Sequence, residues 1–177
     1  MKIEKIEVGY LSTNCYLVTS KKEGIIIDPG GDYDLIIDKI NKKITYIILT
    51  HYHPDHVALV KDLKKTTKAK VLIHKDDFDF LEKSGITADE TLLDDDEIKI
   101  NGDLLKIIHT PGHSKGSICI LGNNFAFTGD TLFEDGVGRT DLPGGSLKEM
   151  EKSLEKIKKL LKPGTKIYPG HGNSFYF

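Results

Sequence analysis

The chain of 177 residues has no tryptophan and no glutamine, and its 25 basic residues include a single arginine, Arg139. It has two cysteines, Cys15 and Cys119. Two are too few for a disulfide framework. Both fall in strand-like runs and read as buried free thiols of a protein kept in a reducing compartment. No apolar run approaches the length of a membrane span. The opening residues, Met1-Lys2-Ile3-Glu4-Lys5-Ile6-Glu7, alternate charged and apolar side chains. They read as a strand, because an export signal needs a continuous apolar centre. An excess of one charge is lacking too: 25 basic against 27 acidic residues leave a formal charge of -2. No broad positive field is available to hold nucleic acid. These absences point to a cytoplasmic protein whose partner is a small-molecule substrate, with neither nucleic acid nor membrane involved. They leave the oligomeric state open.

What is present is a succession of short strand and helix signals in one domain-sized chain. Residues 3–8, 15–19 and 23–28 read as strands, the last ending in the turn Asp28-Pro29-Gly30-Gly31. Residues 32–41 carry one apolar helical face. Residues 44–49 form a buried strand, 57–65 a helix, 70–74 a short strand and 76–83 a short helix. The acidic run Asp94-Asp95-Asp96-Glu97 reads as a solvated turn ahead of a strand pair, 97–100 and 104–109, joined by the hairpin signal Asn101-Gly102. A second hairpin, 117–121 and 125–128, turns at Gly122-Asn123-Asn124. Residues 134–145 are glycine-rich and without period, so they form a loop. Ser146-Leu147-Lys148-Glu149 has the form of a capping box. The helix it opens carries a core stripe of Met150, Leu154, Ile157 and Leu161, and stops at Pro163-Gly164. Residues 166–168 are a last strand. Periodicity alone says α/β or α+β.

The stretch Thr50-His51-Tyr52-His53-Pro54-Asp55-His56 sets the chemistry. It lies between a buried strand and a helix start, and it holds four candidate metal ligands. Alternate side chains of an extended loop point the same way, so His51 and His53 can reach one ion. Asp55 and His56 turn with the helix towards a different point. Imidazole and carboxylate together suit zinc or iron, and the absence of cysteine argues against a structural zinc knot. Three further candidates follow strand-like runs beside glycine: His113 in Thr110-Pro111-Gly112-His113-Ser114, Asp130 in Thr128-Gly129-Asp130-Thr131, and His171 in Pro169-Gly170-His171-Gly172. Small neighbours let backbone approach a crowded site. His74 reads as an ordinary strand-end histidine. His109, inside a strand, is left out of the ligand set.

The series H-x-H-x-D-H, then G-H-S-x-G-S, then G-D-T-L-F, then P-G-H resembles the metallo-β-lactamase superfamily, and within it the short, single-domain glyoxalase II group. The resemblance runs from Thr13-Asn14-Cys15-Tyr16 to Gly172. It implies a four-layer αββα sandwich of two mixed sheets flanked by helices. It also implies one domain over residues 1–177, without the C-terminal glutathione-binding domain of longer enzymes. It assigns His51, His53 and His113 to one metal and Asp55, His56 and His171 to a second, with Asp130 reaching both. The cofactors so implied are two divalent ions, zinc first, with iron or manganese as alternatives. Asp55 and Asp130 are then the catalytic carboxylates. Two cations about 3.5–4 Å apart activate a shared water or hydroxide near neutral pH. The implied reaction is hydrolysis of a thioester such as an S-(2-hydroxyacyl)glutathione, since a thiolate leaves without a general acid.

Other functions fit the same motifs. An iron-dependent persulfide dioxygenase would use the equivalents of His51, His113 and Asp130 only. A lactonase, a nuclease or a non-catalytic metal-binding module are further alternatives. Arg139, in Gly138-Arg139-Thr140-Asp141, stands out in a chain that otherwise uses lysine. It is assigned to substrate binding, against the alternative that it pins its loop through Asp141 or Asp135.

Overall fold

The computed structural model describes residues 1–177, arranged as two six-stranded mixed sheets packed face to face with helices outside. The first half of the chain makes β1 (Lys2–Val8), β2 (Thr13–Thr19), β3 (Glu23–Ile27), α1 (Tyr33–Ile37), β4 (Lys43–Ile48), α2 (Pro54–Val57), α3 (Val60–Thr67), β5 (Lys70–His74), α4 (Lys75–Lys83) and β6 (Glu90–Leu92). Its sheet runs β1-β2-β3-β4-β5-β6. The first three strands pair antiparallel and the rest parallel. The second half makes β7 (Glu97–Ile100), β8 (Asp103–His109), β9 (Ile118–Leu121), β10 (Phe125–Gly129), α5 (Leu147–Leu160), β11 (Lys166–Pro169) and β12 (Phe175–Tyr176). Its sheet runs β12-β11-β10-β9-β8-β7, with β10 and β11 parallel.

The layers follow from strand alternation. On β3, Ile25 and Ile27 face the second sheet and join Tyr16, Val18, Ile107, Ile120 and Phe127 in the central core. Ile26, between them, faces the other way and packs with Ile36, Val60 and Leu63 beneath the helices of the first half. The second sheet repeats this: Ile108, Cys119, Ala126 and Ile167 pack with Ile157 and Leu161. The stripe expected on the last helix is therefore core, and Ser146 caps that helix by accepting from the Glu149 N–H at 3.3 Å. The four-layer sandwich is the architecture expected from the sequence. The two cysteines sit in different outer layers, both as free thiols. Burial raises both thiols, Cys119 to about 11, so neither is a ready nucleophile. No helix is long and apolar enough to cross a membrane.

Local departures have local causes. The helix expected over 57–65 is broken into α2 and α3 at Ala58 and Leu59, where the Leu59 N–H donates to the Pro29 carbonyl at 3.0 Å. Gly30 sits under that junction: a Cβ there would overlap the Asp55 carbonyl. The helix expected over 32–41 is shortened to α1. Strand β2 begins at Thr13, and β6 and β12 are short strands that the sequence pattern does not reveal. The Asn101-Gly102 turn takes φ of 49° and 91°, the positive pair that a tight hairpin needs.

Candidate metal centre

All seven expected ligands converge at one end of the sandwich, each from the C-terminal side of a strand. His51 and His53 follow β4, and Asp55 and His56 lie at or in α2. His113 follows β8, Asp130 follows β10 and His171 follows β11. Two triads form, His51-His53-His113 and Asp55-His56-His171, each with ligand atoms within 4.8 Å of one another. In the second triad Asp55 Oδ2 lies 3.4 Å from His56 Nε2 and 3.3 Å from His171 Nε2. The two imidazole nitrogens are 3.3 Å apart. Tetrahedral coordination with zinc–nitrogen bonds of about 2.0–2.1 Å separates neighbouring ligand atoms by about 3.3–3.4 Å. The triangle therefore has the size of one face of such a site. In the first triad His53 Nδ1 and His113 Nε2 are 2.8 Å apart.

Asp130 lies between the triads. Its Oδ1 is 3.4 Å from His56 Nε2, and its Oδ2 is 3.5 Å from both His113 Nε2 and His171 Nε2. Gly170 is required beside it, because a Cβ there would overlap Asp130 Oδ1 and fall 2.8 Å from the His56 ring. Three buried polar atoms in the cluster have no hydrogen-bond partner: His51 Nε2, His53 Nε2 and Asp130 Oδ1. Buried polar atoms left unsatisfied are costly and rare. Divalent cations would satisfy His51 Nε2 and Asp130 Oδ1, and His53 faces the same point through Nδ1, so the residues present fit metal ions.

Apart from His53 Nε2, the ring nitrogens turned away from the centre are engaged, and in the neutral rings this sets the tautomer. His113 Nδ1 donates to the Arg139 carbonyl at 2.7 Å, and His171 Nδ1 to the Leu11 carbonyl at 3.1 Å. Both rings must then present a bare Nε2 inward. Asp28 orients two more. Its Oδ1 accepts from the Thr50 N–H at 2.8 Å, and its Oδ2 accepts from Thr50 Oγ1 at 2.6 Å and from His56 Nδ1 at 3.0 Å. The Thr50 hydroxyl, its proton committed to Asp28, is left to accept from His51 Nδ1 at 3.0 Å. One carboxylate thus holds His56 directly and His51 through a hydroxyl. Thr13 Oγ1 donates to Asp55 Oδ2 at 3.0 Å. Asn14 Nδ2 and Tyr16 Oη both donate to the Pro169 carbonyl, anchoring the turn that carries His171.

Electrostatics differ between the two sides. Burial holds His51 well below its usual range, helped by the neighbouring imidazoles, and lowers His53 to about 4 and His113 below its ordinary value. The first triad is therefore neutral, with lone pairs free. On the second side burial opposes charge, but Asp130 and Asp28 overcome it and push His56 up to about 9. Burial also works against Asp55, and the His171 and His56 rings outweigh it, holding that carboxyl well below its usual range.

Asp28, Thr13, Thr50 and Asn14 are functional residues that sequence reasoning missed. In the sequence Asp28 reads only as the start of a turn. The available signal was a carboxylate ending a buried strand, the same placement as Asp130. Asp28 adopts φ of 51°, a left-handed conformation that aspartate tolerates. His109 stays outside the centre as expected: its ring stacks on His74 at 3.9 Å and its Nε2 donates to the Lys115 carbonyl. Arg139 donates to both carboxylate oxygens of Asp141, at 2.7 and 2.8 Å, with both side chains exposed. The acidic run 94–97 is a turn as expected, with Asp94 paired to Lys156.

Residues 8–171 match the family described as the metallo-beta-lactamase superfamily. A probable polyketide biosynthesis zinc-dependent hydrolase of Bacillus velezensis, BaeB, is 34% identical over 167 residues, which cover 90% of this chain and 73% of that one. The crystal structure of the BLEG-1 B3 metallo-beta-lactamase superposes with a TM-score of 0.89 at 30% identity, covering 99% of this chain and 94% of that one. ETHE1 from Myxococcus xanthus gives 0.87 at 27% identity, covering 99% and 80%. TTHA1623, solved in a di-iron-bound form, gives 0.84 at 28% identity, covering 98% and 94%. The chain belongs to the metallo-beta-lactamase superfamily. Within it, the comparisons support a metal-dependent hydrolase, and the His/Asp clusters are suited to divalent metal.

Proposed function

We propose that the protein binds two divalent ions, zinc in the first instance, and hydrolyses a thioester of the S-(2-hydroxyacyl)glutathione type. The observation that carries this reading is the second triad. Asp55, His56 and His171 stand at the mutual spacing of tetrahedral ligands. A dioxygenase using His51, His113 and Asp130 alone would have no need of it. His51, His53 and His113 would hold one ion, the second triad the other, and Asp130 would touch both. Bound there, such ions lower the pKa of a coordinated water towards neutrality and polarise a carbonyl.

The chain itself supplies position. Its hydroxyls nearest the cluster, Thr13 and Thr50, are committed as donors to Asp55 and Asp28, and both cysteines are buried elsewhere. None of these four offers a free nucleophile, which supports water in that role. The outward nitrogens of His51, His56, His113 and His171 are tied by hydrogen bonds, which leaves those rings no mobile proton to give. That suits a leaving group needing no proton, such as a thiolate. Beside His171 lies an open cavity of about 400 Å³ that also touches Phe133, Val137 and Asn173, with room for part of a small substrate. We assign Arg139 to substrate contact on the ground that its guanidinium is exposed on the same loop, paired with its near neighbour Asp141.

The test is a pair of assays, under nitrogen and in air, with metal-loaded protein, one thioester and one persulfide. Thioester turnover without oxygen, with two metals per chain, is the expected result. Oxygen uptake with glutathione persulfide and no thioester turnover would move the assignment to the dioxygenase. Full activity with one metal per chain would remove the two-ion reading.

A further inference from the structure

The three ligands of the first metal come from two sheets. His51 and His53 leave the first sheet after β4, whereas His113 leaves the second after β8. Something must fix the register between these loops to a fraction of an ångström, since a displaced ligand is a lost ligand. We propose that Asp77, on α4, is the positioning residue that sets this register. It touches none of the seven ligands, and its role rests on the metal-site reading above.

The Asp77 carboxylate is fully buried. Its Oδ2 accepts from Ser114 Oγ at 2.6 Å and its Oδ1 from the Gly116 N–H at 2.7 Å. Both donors lie on the loop just after His113. The same helix meets the other ligand loop through Phe80, whose ring stacks at 4.6 Å on Tyr52, the residue between His51 and His53. Helix α4 thus touches both ligand loops, and Asp77 ties the one after His113 to it. Ser117 extends the hold. Its Oγ lies 2.7 Å from Ser114 Oγ and accepts from the Ser114 N–H at 3.0 Å. Gly116 has no room for a side chain: a Cβ would come within 2.6 Å of the Asp77 nitrogen and 2.7 Å of its Cγ. The Ser-x-Gly-Ser that follows His113 is therefore shaped to receive Asp77, with each of its three named residues in the network. No lysine or arginine pairs with Asp77, so its work is to accept these hydrogen bonds.

The experiment measures Zn(II) affinity of the metal-free full chain by competition with a chromophoric chelator. Asp77→Asn keeps the shape but turns an acceptor into a donor facing other donors. Loss of a ligand's own hydrogen-bond partner typically weakens metal binding by about 10–100-fold, and displacing the loop that carries His113 is expected to act within that range. Asp77→Asn should weaken one of two zinc equivalents by that factor and leave the other unchanged. In a His171→Ala background, which retains the first triad, the loss should persist. In a His53→Ala background it should vanish, because the site it supports is already broken. Ile98→Ala, in the central core on β7, is the control for general destabilisation and should leave both affinities alone. Ser114→Ala removes one donor and should give a smaller loss at the same site, which keeps the test open if Asp77→Asn does not fold. Equal weakening at both sites, or a lower melting temperature with both affinities intact, would overturn the assignment. If the wild type takes up one equivalent only, the two-ion reading fails by itself, and the Asp77 effect on that equivalent is still expected.

Discussion

Asp28 should be the most sensitive position outside the ligands. Its carboxylate takes three buried hydrogen bonds, from the Thr50 N–H, the Thr50 hydroxyl and His56 Nδ1. Asp28→Ala would strand three donors, at about 1–3 kcal/mol each, or about 3–9 kcal/mol in all. Domains are stable by only about 5–15 kcal/mol, so the alanine variant is expected to be poorly folded. Asp28→Asn is the informative change. Its oxygen can still accept from the Thr50 N–H, while its amide group faces the Thr50 hydroxyl and His56. His56 must then accept at Nδ1 and carry its proton on Nε2, the atom that faces Asp55, Asp130 and His171. A protonated nitrogen cannot ligate. The expected cost is about 10–100-fold in affinity for the second metal, equivalent to about 1.4–2.7 kcal/mol. His51 is reached only through Thr50, so the first metal should weaken less. Zinc competition on the purified variant, with its melting temperature followed in parallel, separates the two effects. Unchanged affinity at both sites in a folded Asp28→Asn protein would refute the idea that this carboxylate sets the tautomers.

Asp130→Ala should release both metals, because the carboxylate contacts ligands of both triads, while His171→Ala should release mainly one; metal analysis after dialysis distinguishes them. Arg139→Lys should leave metal content and melting temperature unchanged, since the Asp141 pair is local and exposed, and should lower kcat/KM if the guanidinium meets substrate; a fall in metal content instead would assign Arg139 to holding its loop. His74 is held down to about 4, by burial first and then by His109. Its folded value lies below its unfolded one, so the unfolded chain takes the proton first as pH falls. Stability present above about pH 6.5, the ordinary histidine value, is therefore lost progressively down to about pH 4. His74→Asn keeps a cap for α4 and should flatten that part of the melting-temperature profile; an identical pH profile would remove His74 as a cause.

The sequence by itself determined which side chains are candidate metal donors and that strands and helices alternate along the chain. Metal-binding capacity belongs to residue type, and His51, His53, Asp55, His56, His113, Asp130 and His171 each announce themselves as a donor at the end of an apolar run. Strand alternation at Ile25, Ile26 and Ile27 likewise carries its two faces in the local pattern. Tertiary structure alone decided what holds those ligands. Asp28 and Thr50 are 22 residues apart, Asp77 and Ser114 37, and Thr13 and Asp55 42. No local pattern encodes such a meeting, since a hydrogen bond between two loops exists only once the sheets beneath them are stacked. The break between α2 and α3 has the same origin, because it depends on the Pro29 carbonyl reaching Leu59. The strands β6 and β12 are too short to show a period, and they form because a neighbouring strand offers an edge. The separation of His109 from His113 follows from the same rule. They lie four residues apart in sequence, but the turn at Pro111 and Gly112 sends one ring to stack on His74 and the other to the metal centre.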